Sequence, residues 1–146
     1  MKIQEQDFYH GAALTQIVEH KSFKALNRAS GKYGHYLINT DRHVFVKYRT
    51  AESSPWSFTF QADEVATISK SIASGLTHVC LVCGGVTICA LSSVEVQTLI
   101  DLNSSTSQWI KVEVPKGGRC HVAGSIGALV KTVPHNAFPD KVFAYP

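Results

Sequence analysis

VFVKYRTAESSPWSFTF, residues 44–60, is the stretch on which the reading of the fold turns. It opens as an alternating strand, passes through a polar loop to Pro55, and resumes as a second alternating strand. Extended chain sends successive side chains to opposite faces. With His43 included, His43, Phe45, Lys47 and Arg49 share one face, and Val44, Val46 and Tyr48 take the other. The second face is a core face. The first is mixed, which leaves two uses for Lys47. Its stem can lie along Phe45 with the head in water, or the ammonium can point into a cleft. A lysine beside a carboxylate there can stabilise charge developing on a phosphate. Asp41, Glu52 and Glu19 are the candidate carboxylates, and spacing alone ties none of them to Lys47. Beyond Pro55, which cannot donate to a central ladder, WSFTF places Trp56, Phe58 and Phe60 on one side of a half-buried strand.

Upstream, HYLIN (35–39) and HVFVKYRT (43–50) form a hairpin around Thr40-Asp41-Arg42. Residues 9–28 read as helical through Leu14, Ile17 and Val18, with Phe23 and Leu26 further along. Ser30-Gly31 ends that element, and Lys32-Tyr33-Gly34 is loop. Downstream, residues 62–74 carry acids in the first turn and Val65, Ile68 and Ile72 on one stripe, a helix closed by Gly75. HVCLVC (78–83) is apolar on both faces apart from His78 and reads as a central strand. Gly84-Gly85 turns it into VTICALS (86–92), and Ser92 with Glu95 makes a capping box that opens a third helix. WIKVEVP (109–115) and RCHVAGS (119–125) pair about Lys116-Gly117-Gly118. From Ile126 the pattern thins: IGALVKTV is a short helix or strand, and PHNAFPDKVFAYP a tail laid across the body.

Helices alternating with short strands predict an α/β fold, and the tight hairpins make its sheet mixed, with helices on its faces. A chain of 146 residues without a linker or repeat is expected to form a single domain over 1–146. No stretch reaches the roughly 20 apolar residues needed to span a bilayer. The opening MKIQEQDFYH has no apolar run and does not read as an export signal. The four cysteines are accordingly expected to be reduced thiols in a cytoplasmic protein. Cys80, Cys83, Cys89 and Cys120, with His121, make a nominal zinc set. An odd spacing, however, sends Cys80 and Cys83 to opposite faces of a strand, and buried free thiols are the more economical account. Trp56 and Trp109 both sit at alternating strand positions, where core packing is the expected use and base stacking the alternative.

Charge is unevenly spread. Residues 21–50 hold seven bases and one acid, net +6, whereas the rest of the chain is net −3. Such asymmetry creates a local positive potential suited to polyanions. Lys32, Arg42, Lys47 and Arg49 are the candidate phosphate contacts.

Helix, strand, strand with a late lysine, loop, aromatic strand, crossover helix and apolar strand, over roughly residues 9–100, resembles the PD-(D/E)XK nuclease-like superfamily. The carrying residues are VFVKY, SPWSFTF and HVCLVC. The resemblance implies a restriction endonuclease-like core that binds or cuts nucleic acid, with Lys47 as the motif lysine. In such folds acidic residues hold Mg²⁺, which the lysine assists. Two positions before Lys47 stands Phe45, which offers a metal no ligand atom. The implied function is therefore association with DNA or RNA by a non-catalytic nuclease-like domain. One alternative is a non-enzymatic accessory protein of a mobile element or defence system, acting through a protein partner or as a homo-oligomer. The other is a divergent Mg²⁺-dependent nuclease using Lys47 with Asp41, Glu52 or Glu19, the last matching a helical glutamate of some members.

Overall fold

The computed structural model describes residues 1–29 and 34–144. Helix α1 (Glu5–Val18) leads into strands β1 (Leu26–Arg28), β2 (His35–Ile38), β3 (Arg42–Arg49) and β4 (Trp56–Phe60). Helix α2 (Ala62–Ser74) connects to β5 (Leu76–Cys83) and β6 (Thr87–Ser92). Helix α3 (Ser93–Leu99), strands β7 (Gln108–Glu113) and β8 (His121–Gly124), a 3-10 turn (His135–Ala137) and the short helix α4 (Asp140–Phe143) complete the described chain.

Five strands form one sheet in the order β1-β2-β3-β5-β6, in which β3 and β5 run parallel and every other neighbour pair is antiparallel. This is an α/β fold with a mixed sheet flanked by helices. The parallel pair requires a long crossover, and β4 with α2 supplies it. The strand order also departs from the single sheet predicted from sequence. WSFTF does not join β3; it pairs with β7, and β8 extends it into a separate three-stranded antiparallel sheet.

Each face of the parallel strands has its own core. Val44, Val46, Cys80, Val82 and Ala90 face α1 and the chain end, and pack with Ala13, Ile17, Phe138 and Val142. Phe45, Val79, Leu81, Cys83 and Leu91 face the small sheet and helices α2 and α3, against Trp56, Phe58, Phe60 and Ile68. Full burial of one such side chain is worth about 1.5–3 kcal/mol. As the odd spacing required, Cys80 and Cys83 lie in different cores. The tail does cross the body, and Val142 and Phe143 are buried by it.

Two segments differ from their sequence reading. The first helix begins at Glu5 and stops at Val18, so residues 19–28 are not helical. Asn39, at the hairpin turn with φ +54°, accepts hydrogen bonds from the Lys24 and Ala25 N–H groups and donates to the Ser22 carbonyl. Those bonds hold residues 22–25 out of a helix and aim the chain into β1, an edge strand with Leu26 exposed. The helix end at Ser30-Gly31 and the loop residues Lys32 and Tyr33 lie outside the described residues. The other difference is Trp109: Trp56 is buried, but Trp109 is 42% exposed on the outer face of β7. No helix among the described residues is long and apolar enough to cross a membrane.

Candidate functional site

Strand β2 ends its pairing with β3 at His35–Phe45, and the last bond from that side runs from Val46 N–H to the Gly34 carbonyl. Past that point the outer edge of β3 has no strand beside it among the described residues. A cleft of about 200 Å³ opens there, lined by Gln6, His10, Gly34, Lys47, Tyr48 and Glu64 with the Val46 backbone strand between them. It lies at the carboxyl end of a parallel strand, where ligands of open α/β sheets characteristically bind.

Lys47 is at its centre. Its Nζ donates to both oxygens of Glu64 at 3.0 Å and stands 4.9 Å from the centre of the Phe60 ring. The Glu64 side chain is 2% exposed and that of Lys47 24%. Glu64 is the third residue of α2, where the unpaired N–H groups of the first turn favour a carboxylate. The pair is therefore held from two elements, and two of the three ammonium N–H groups are committed to it.

His10 enters from α1. Its Nδ1 lies 3.1 Å from the Tyr36 hydroxyl, and its ring meets Tyr36 and Tyr48 edge-on. Burial lowers the His10 pKa below the usual 6.5, against the upward pull of Asp7. Tyr48 stacks on Tyr9 with ring centres 4.7 Å apart and donates to Glu5 Oε1 at 3.4 Å. Burial, and then Glu5, raise its pKa. Arg28 stands opposite Tyr36 in the β1–β2 ladder, and Arg49 is exposed at the end of β3.

The other sequence candidates go elsewhere. Asp41 is six residues from Lys47 along β3, about 20 Å at strand spacing, and is 2.7 Å from Arg42 Nη1. Arg42 is 4% exposed and also reaches the Phe143 carbonyl, so it ties the far end of the sheet to α4. Glu19 follows the last turn of α1 and Glu52 lies in the loop after β3, both exposed and neither lining the cleft. Of the proposed phosphate contacts, Lys47 and Arg49 share one end of β3, Arg42 is at the other, and Lys32 lies outside the described residues.

Glu64 and His10 were not singled out from sequence, although both carried a signal. Glu64 precedes Ile68 by four, and so shares its buried stripe. Gln6, His10, Ala13 and Ile17 recur at spacings of four, three and four along the buried face of α1. A charged or polar residue on an otherwise apolar stripe is what marks such a site.

An Mg²⁺ centre of the nuclease kind does not fit these donors. Glu64 is the one carboxylate among the described cleft residues, both its oxygens are engaged by Lys47, and no described group of three His, Cys, Asp or Glu could hold a metal ion. Comparison with protein-family models, curated proteins and solved structures finds no match to the chain.

Proposed function

We propose that the chain is a nuclease-like domain, with a restriction endonuclease-like core, that associates with nucleic acid through the cleft at the end of β3 without cleaving it. The observation that carries this reading is the Lys47–Glu64 pair, fixed at the open edge of β3 with one lysine N–H uncommitted. A phosphate oxygen is a fitting acceptor for that N–H. Arg49 lies two residues beyond Lys47 on the same face of β3 and adds positive charge, and the small volume suits a phosphate group rather than a large ligand. Contacts of this kind position a backbone and carry no sequence information.

Anisotropy of a fluorescein-labelled 20-mer, single-stranded and duplex, tests the proposal. Two phosphate contacts give a log–log salt slope of about −1.8 on the duplex, so affinity falls about 12-fold between 50 and 200 mM salt. Arg49→Ala flattens the slope by about one contact. Absence of binding to either oligonucleotide at about 50 mM salt, where such contacts are strong, overturns the reading.

A further inference from the structure

A groove of about 750 Å³ runs between helix α1 and the β5–β6 turn, and its lining includes Phe8, Gly11, Ala12, Thr15, Val86 and Phe138. Nothing in the nucleic-acid reading uses these residues. Gln6 and His10, which line the cleft, lie on another face of the helix.

Helix α1 is apolar on two sides. Ala13 and Ile17 are buried against the sheet. Phe8, Gly11, Ala12 and Thr15, at i, i+3, i+4 and i+7, make a second stripe on the side turned away from it. Phe8 is 66% exposed, Ala12 and Thr15 are exposed as well, and Val86 on the opposite wall of the groove is 52% exposed. A helix carries an apolar stripe to bury it, and large apolar side chains gathered around a groove mark an interaction surface. Four residues at this spacing also frame the hole that receives a side chain from a facing helix. Gly11 deepens the hole, since a Cβ built there would meet nothing within 4 Å.

A second α1 has the shape and charge to fill it. The α1 residues that line the groove, Asp7, Phe8, Gly11, Ala12, Thr15 and Gln16, are symmetric about the midpoint between Gly11 and Ala12. A twofold axis at that midpoint sets Phe8 across from Thr15 of the partner subunit, large against small, and Gly11 across from the partner subunit's Ala12. Asp7 then faces the partner subunit's Gln16, a carboxylate against an amide donor. Asp7 Oδ2 accepts the Gln4 N–H at 2.8 Å, which leaves Oδ1 for that contact. Parallel pairing would instead bring the acidic first turns together, with Glu5 and Asp7 on each helix.

We propose that this groove is a homodimer interface in which two α1 helices pack antiparallel about Gly11 and Ala12, each Phe8 entering the other's hole. The stripe is about three turns long, so the contact is at the low end of specific interfaces and a Kd of about micromolar order is expected.

Sedimentation velocity of the full chain from about 1 to about 300 μM, a range that brackets such a Kd, tests the proposal. The sedimentation coefficient is expected to rise with concentration from the monomer to the dimer value. Gly11→Leu has room in the monomer and improves the helix, so its thermal midpoint should be no lower. It plugs the hole at the axis and is expected to weaken dimerisation about tenfold or more, about 1.4 kcal/mol. Gln16 is exposed, so its variants leave the core alone. Gln16→Lys, facing a carboxylate, is expected to tighten the dimer, and Gln16→Glu to weaken it. This pair decides the matter if Gly11→Leu fails to fold. A monomer at every concentration leaves the groove to some other partner and overturns the proposal. A dimer that Gly11→Leu leaves intact, or one whose Kd Gln16→Lys and Gln16→Glu move alike, overturns it equally.

Discussion

Lys47 and Glu64 are unequally buried, and the inequality predicts unequal mutants. Lys47→Met leaves a 2%-exposed carboxylate without its cation, whereas Glu64→Gln leaves an ammonium that already reaches water. Breaking a buried pair from one side costs about 3–5 kcal/mol, so Lys47→Met should approach about 3 kcal/mol and Glu64→Gln cost clearly less. Lys47→Met/Glu64→Leu should recover most of the loss. Urea unfolding of the four proteins measures these losses, and equal losses in the two single mutants would contradict this account of the pair. Lys47 was legible in the sequence because alternation put it on a face with Phe45. Its partner was not, because an acid in the first turn of a helix has a sufficient explanation in the helix dipole. Only the crossover that lays α2 against the end of β3 brings the two residues together, and strand periodicity carries no information about that approach.

Gly84 plays the corresponding part among the elements. It has φ +55° at the β5–β6 turn, and its N–H donates to the Arg49 carbonyl at 2.8 Å. A Cβ there would press into the Ala51 carbonyl oxygen, which also accepts the Trp56 indole N–H at 2.9 Å. The β5–β6 turn thereby seats the loop that leaves β3 and fixes the start of β4. Gly84→Ala should cost at least about 2 kcal/mol through backbone strain and displacement of Ala51. Gly85, which has open space around its Cβ position, should tolerate alanine far better in thermal unfolding. Most elements were readable in the sequence, down to the Ser92–Glu95 capping box, because each follows from a local period or turn. The end of α1 was not: Phe23 and Leu26 continue a helical spacing, and the side chain that overrules it, Asn39, lies more than ten residues away. The assignment of WSFTF to a second sheet was equally hidden, since a strand's alternation gives its inward face and leaves its neighbour open.

For the molecule as a whole, two buried histidines set the response to acid. Burial holds His35 at a pKa of about 4, helped by the neighbouring charge of His43, and holds His78 there with Lys141 and Arg42 assisting. Between about pH 6.5 and pH 4 the unfolded chain binds protons at these sites that the native one refuses. Stability should therefore be complete above pH 6.5 and fall through that window, by up to about 1.4 kcal/mol per pH unit for each histidine. His35→Phe should flatten the fall by about one proton's worth in urea midpoints measured from pH 7 to pH 4.5; an unchanged slope would show that His35 takes no part. At this scale the sequence made plain the class of fold, the mixed sheet and a central strand buried on both faces, and gave no indication that a second sheet covers one of those faces. HVCLVC had shown apolar groups on both faces, a pattern equally suited to one sheet sandwiched between helices. Serving two cores has a consequence for how the chain tolerates length changes. Val79, Leu81 and Cys83 serve one core while Cys80 and Val82 serve the other, so β5 is a message read from both sides. Deleting one residue within it would trade the two sets wholesale. Large loops elsewhere can grow or shrink, but this strand has a fixed reading frame.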